Sequence, residues 1–220
     1  MKKTLLSVAV VASLFFANAA SAQALASAAK TTKAVKAATV YKVETSQSNL
    51  EWNGKKVTGE HTGNIAISKG DILVNGNRIV SGTVLIDMNS ITNKDLTDEG
   101  YKQKLLGHLK SDDFFSTEKH PTGTLKITSV TPLKGAAAGA ANATVNGDLT
   151  IKGITKPVSF PATVSVKDGV ATAVGTATLN RTNWDIKYNS KSFFPNIADK
   201  AIYDDFTVKF NLVAKSDRKA

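Results

Sequence analysis

Apolar and polar residues alternate with a period of two along most of the chain. The clearest case is Gly147 to Val158, GDLTIKGITKPV, which joins Ala143–Ile151 to Ile154–Val166 across Lys152-Gly153. Alternation over such lengths predicts strands with one buried face. So short a connection makes the two strands antiparallel, because a parallel crossover needs about a dozen residues or more. The same pattern recurs at Val57–Ile67, where Gly59 and Gly63 interrupt it, and at Thr83–Met88. It returns at Thr122–Val130, Val170–Leu179, Asn183–Tyr188 and Phe206–Ala214, with shorter pieces at Tyr41–Glu44 and Asn49–Trp52. Asn75-Gly76, set between Ile72–Val74 and Ile79–Val80, is the strongest hairpin signal. Glycines inside strands suggest the bulges and bends of a closing sheet. About eight long strands predict an all-β fold, an eight-stranded antiparallel β-barrel that leaves no free sheet edge.

The period changes once, between Thr92 and Phe115. Tyr101, Leu105 and Leu109 fall at i, i+4 and i+8, with Leu106 beside them. This predicts one short amphipathic helix over Thr97–Lys110, with Thr97 as its cap and Asp98 and Glu99 complementing its dipole. Ser192–Lys200 reads as a loop carrying Phe193, Phe194 and Pro195, and Gly135–Ala143 as an Ala-rich loop or hairpin tip.

A barrel of this size either fills its interior with side chains or holds one small ligand. Val170–Leu179 presents one face of Ala171, Ala173, Gly175 and Ala177. If that face points inward it leaves space along the wall, unless large residues opposite take it up. Trp52, Phe114, Phe115, Trp184, Tyr188, Phe193 and Phe194 cluster near predicted strand ends, where they could be core or could line the mouth of an apolar tunnel. A long hydrocarbon held there would gain about 0.8 kcal/mol per buried methylene, on the order of 15 kcal/mol for about twenty carbons before ordering costs. One head-group pair would add roughly 1–3 kcal/mol, so chain burial dominates affinity and polar groups set orientation.

The segments VTGEHTGNI, IDMNSI, HLKSDDFF followed by His120-Pro121, GDLTIKGITKPV and LNRTNWDIKYNS, in that order, resemble the YceI-like family of secreted lipid-binding proteins. The likeness covers Tyr41 to Val213. It implies a lipocalin-like barrel whose pore holds a polyisoprenoid or similar amphiphilic lipid. By position, it puts forward Leu109, Phe114, Phe115, Trp184, Ile186 and Tyr188 as ligand-binding residues, beside Trp52, Phe193 and Phe194. Arg181 is the charged group best suited to a phosphate or other polar head, its fork matching bidentate contacts; the alternative is a surface or salt-bridged arginine.

Composition then narrows the setting. Lys2 and Lys3 precede an apolar run from Leu5 to Phe16, and Ala20-Ser21-Ala22 supplies a cleavage pattern. That is the layout of a signal peptide over residues 1–22, shorter than a membrane span. A flexible Ala/Thr/Lys lead-in at 23–39, the barrel at 40–215 and a tail at 216–220 complete the expected division. Export would place the protein in a periplasmic or extracellular space. With no cysteine in 220 residues, no disulfide staples the fold and thiolate metal sites are excluded. The formal charge of +10, of which Lys2 and Lys3 supply two, favours anionic lipid surfaces or anionic ligand groups slightly. No basic stripe interleaved with stacking aromatics points to nucleic acid. The partners left open besides lipid are transient contact with a membrane surface and a second copy of the chain.

Catalytic signatures are missing. His61, His108 and His120 have no metal-ligand spacing, Asp112-Asp113 and Asp204-Asp205 read as solvated turns or caps, and no nucleophile elbow or Gly-rich phosphate loop occurs. No metal and no cofactor is expected. A noncatalytic lipid carrier is the leading reading. An enzyme acting on a lipid or quinone in the same pore, built from Arg181, Asp185, Tyr188 and His61, is the alternative, and a filled structural barrel is the third.

Overall fold

The computed structural model describes residues 37–216. The expected signal peptide at 1–22, residues 23–36 of the lead-in and residues 217–220 of the tail lie outside the described residues. The strands are β1 (Thr39–Val43), β2 (Asn49–Lys56), β3 (Gly59–Asn75), β4 (Arg78–Asp87), β5 (Thr122–Pro132), β6 (Ala143–Ile151), β7 (Ile154–Lys167), β8 (Val170–Asn180) and β9 (Ile202–Ser216); the helix α1 is Glu99–Lys110. All are antiparallel to their neighbours. β1 and β2 share one place in the wall, since both lie between β3 and β9 and are separated only by a 3-10 turn at Thr45–Gln47. Nine segments therefore fill eight positions, and the β3–β4 pairing closes the cylinder.

The hairpin turns follow from local chemistry. Between β6 and β7, Lys152 and Gly153 take φ of 51° and 73°; between β7 and β8, Asp168 and Gly169 take 49° and 74°. Two successive left-handed residues match the right-handed twist of the flanking strands, and glycine takes the second place at no steric cost. At the other strong signal the turn sits one residue later than expected. Asn75 pairs with Arg78, which leaves Gly76-Asn77 as the central residues.

The interior is filled at one end and hollow at the other. Val74, Ala143, Ala162, Ala171 and Ala214 are almost wholly buried and pack with Tyr41 and Val43 of β1 into a solid plug. Small side chains at four of these places let the strands close tightly over the end. Towards the opposite end the inward residues stand around an open bore, so both sequence-based readings hold, each for one half. The face Ala171, Ala173, Ala177 does point inward: Ala171 belongs to the plug, while Ala173 and Ala177 border the bore. At Gly175 the space is taken by Phe210, whose ring would meet an added Cβ at 2.7 Å.

Two local expectations are corrected. Asn183–Tyr188 is not a strand. Asn180 accepts a hydrogen bond from the Thr182 backbone N–H (3.0 Å), the chain turns through a 3-10 helix at Arg181–Trp184, and Asp185 adopts a left-handed φ of 58°. The helix α1 is capped by Asp98 rather than Thr97, through the Tyr101 N–H at 2.9 Å. Tyr101 points to solvent, and no α1 residue is fully buried. Beyond the end of β4, the segment at 92–94 continues the wall, with Thr92 and Lys94 donating N–H bonds to the Asn64 and Thr62 carbonyls at 2.9 Å.

Candidate functional site

The hollow half encloses a cavity of about 230 Å³. Its wall is the inward face of the strands: Leu50 and Trp52 from β2, Ile65, Ile67 and Ile72 from β3, Val84 and Ile86 from β4, and the corresponding aliphatics and aromatics of β5 to β9. Phe160 and Phe210 meet edge to face, centroids 5.4 Å apart, and both border it. Apolar walls of this kind repel water and reward hydrocarbon burial.

At the wide end, the helix exit supplies the cover. α1 ends at Lys110, the Phe115 and Thr117 N–H groups turn back to the Leu109 and Lys110 carbonyls, and Leu109, Phe114 and Phe115 come to line the cavity. Lys152 of the β6–β7 turn donates to the Asp112 carbonyl (2.8 Å), tying that turn to the cover. Ser116 and Lys119 also hold Asp112, and these bonds keep its carboxyl below the ordinary value, that of Lys119 most strongly.

Of the residues singled out from sequence, Trp52, Leu109, Phe114, Phe115, Arg181 and Ile186 border the cavity. Four do not. Trp184, 1% exposed, is packed into the core with Leu149, Ile151, Leu179 and Ile186, its indole N–H donating to the Leu149 carbonyl at 3.1 Å. Tyr188 lies outside, against His108 (4.6 Å, edge to face), which in turn meets Phe114. Phe193 and Phe194 are 46% and 49% exposed on the loop before β9, with Lys187 over the Phe193 ring. The inward strand residues, and Phe160, Phe206 and Phe210 above all, were passed over. Their signal was the strand alternation itself, which marks which residues share a face but not which faces stay unfilled.

Arg181 borders the bore with one N–H of each guanidinium nitrogen engaged. Nε donates to the Tyr203 carbonyl (3.1 Å), Nη1 to Ile186 (2.9 Å) and Nη2 to Ile202 (3.0 Å). Asp204 stands 3.4 Å from Nη2. Burial pushes the guanidinium pKa down and Asp204 partly offsets this. The side chain thus clamps the 181–186 turn to the start of β9 and is salt-bridged, as the alternative reading has it. The other groups named for chemistry have separate partners: His61 pairs with Asp95 (2.7 Å) and Asp185 with Lys187 (2.6 Å).

Polar groups reach the cavity at one place. β2 and β9 pair at Gly54↔Phe206 and again at Lys56↔Ile202, so Lys55 alone faces Tyr203, Asp204 and Asp205. Asn53, Lys55 and Tyr203 border the cavity there, and Lys55 and Tyr203 are also exposed, so at this bulge the same side chains meet both the bore and solvent.

Comparison with known proteins agrees with this architecture. The family described as YceI-like domain matches residues 41–214. A UPF0312 protein of Staphylococcus aureus is 38% identical over 89 residues, 37% of this chain and 46% of that protein. One from Ectopseudomonas mendocina is 42% identical over 55 residues, 25% and 26% of the two chains. The matched stretches thus span about a quarter to a half of these curated relatives. Among solved structures, a polyisoprenoid binding domain from Saccharophagus degradans, implicated in plant cell wall breakdown, superposes with a TM-score of 0.58 at 16% identity, covering 80% of this chain and 98% of that one. Burkholderia cenocepacia BcnA gives 0.55 at 22% identity, covering 79% and 99%. At these identities the likeness is one of fold.

Proposed function

The chain belongs to the YceI-like family, and from that premise we propose that it is an exported, noncatalytic carrier whose bore holds an isoprenoid-like or other long-chain amphiphile. The observation that carries this reading is the cavity: about 230 Å³, walled by aliphatic and aromatic side chains, beyond the plug and bordered at the β2–β9 bulge by the exposed Lys55 and Tyr203. Such a space suits the hydrocarbon of an amphiphile and leaves its polar end at the opening. The Saccharophagus degradans domain, described as polyisoprenoid binding, supports the same ligand class. The carrier role is favoured over catalysis because His61, Asp185 and Arg181 are held in separate interactions. Export rests on the layout of residues 1–22.

The test is to express the full chain in a bacterium, purify it, extract it with organic solvent and analyse the extract by mass spectrometry. A long-chain amphiphile in near-stoichiometric amount is expected, together with an N-terminus at Gln23 and recovery from the exported fraction. Repeated failure to find or to load any long-chain amphiphile would remove the carrier reading.

A further inference from the structure

Outside the β2–β9 bulge lies a second, polar pocket, bordered by Asn53, Lys55, Asn180, Tyr203, Asp204 and Asp205. It shares Asn53, Lys55, Tyr203 and Phe206 with the apolar cavity, so the two abut at the gap in the ladder. An amphiphile whose chain lay in the bore and whose head passed between these shared residues would have its polar end at this pocket.

The charges there are already paired, apart from one carboxylate. Lys55 Nζ lies 3.1 Å from Glu60, and the Asn53 amide donates to the same carboxylate at 3.3 Å. Arg181 is matched by Asp204, whose other oxygen accepts from Ser192 at 2.5 Å. Among the described residues, Asp205 has only the neutral Asn180 amide, which donates to it at 3.1 Å. Two cations thus face three carboxylates among the pocket residues and their ion-pair partners. A phosphate, carrying about −1.5 to −2 charge, would meet that surplus with no free cation of the pocket to receive it. A hydroxyl finds what it needs, since it donates to a carboxylate and accepts from an amide or ammonium.

We propose that the pocket outside the β2–β9 bulge seats the polar end of the ligand and selects an uncharged, hydroxyl-type head over a phosphate. This rests on the lipid-carrier reading and adds the chemistry of the head group to it. Asp205 is the residue that sets the preference, through the field it projects into the pocket.

Delipidated protein titrated with geranylgeraniol and with geranylgeranyl phosphate decides the matter, because the two share one chain and differ only in the head. The alcohol is expected to bind about tenfold more tightly at low salt, with the ratio shrinking as added salt screens the carboxylate. Asp205→Asn should reduce the preference, and Asp205→Lys should reverse it. Equal or tighter binding of the phosphate by the unmodified protein, or an unchanged ratio in both variants, overturns the head-group assignment while leaving lipid carriage intact. Binding of neither compound overturns lipid carriage, and this assignment with it.

Discussion

The carbonyl oxygen of Thr92 lies across Gly63 so closely that a Cβ on residue 63 would stand 1.8 Å from it. The same oxygen accepts the Trp52 indole N–H at 3.1 Å, and the Trp52 ring would itself stand 2.8 Å from that Cβ. One glycine therefore lets β2, β3 and the segment after β4 meet at the cavity wall. Gly63→Ala is expected to push the Thr92 segment off the wall and cost about 2–4 kcal/mol. A lower urea midpoint with an unchanged m-value, together with a red shift of tryptophan emission, would register it. An unchanged midpoint would show that this contact bears no load.

Arg181→Met removes the donor for three carbonyls and leaves Asp204 without its cation. Breaking a buried pair from one side costs roughly 3–5 kcal/mol. Arg181→Lys should rescue little, since one ammonium cannot reproduce the planar fork. If instead the Met variant kept its stability and lost only lipid, Arg181 would be a ligand contact and the clamp a mistaken account.

Ala171 and Ala173 stand two residues apart on one face of β8, yet one belongs to the plug and the other borders the bore. Ala171→Phe overpacks a filled region and should cost about 1–3 kcal/mol or more. Ala173→Phe enters empty space, so its stability should stay within about 1 kcal/mol while its lipid content falls. Equal melting losses in the two variants would contradict the division of the barrel into filled and hollow halves.

Burial pushes the Asp95 carboxyl up, but hydrogen bonds from the Thr62 backbone N–H, His61 and Asn93 outweigh it and hold the pKa below its ordinary value of 3.8. A carboxyl depressed in the folded state contributes stability that is present above the unfolded value and lost as pH falls through the folded one. Asp95→Asn should therefore weaken the protein near neutrality and flatten its loss of stability as pH falls below the ordinary carboxyl value of 3.8. Parallel pH profiles for the two proteins would sink this.

How much of this could be read from residue order differs by feature. Lys152-Gly153 announced its hairpin because the turn is fixed by local backbone preference, and the small face of β8 was visible as Ala171, Ala173, Ala177. The 181–186 turn was not legible, because its form depends on Arg181 reaching carbonyls on β9, more than fifteen residues away. Trp184 looked like pore lining for the same reason: an aromatic near a strand end gives no sign of whether it borders empty space or packs into the core beside it. A Trp184→Asp substitution consequently probes folding, since it places a carboxylate where a 1% exposed indole packs. The hollow half was invisible as such, for alternation marks inward residues and says nothing about whether opposing ones touch.

A bore stoppered by Tyr41, Val74 and the alanines around them has a fixed depth, and fixed depth makes the protein a ruler. On the carrier reading, tails up to that length would fit within the bore, and longer ones would have to fold back or hang out. Moving the stopper, by trimming Tyr41 for instance, would reset the scale towards longer cargo.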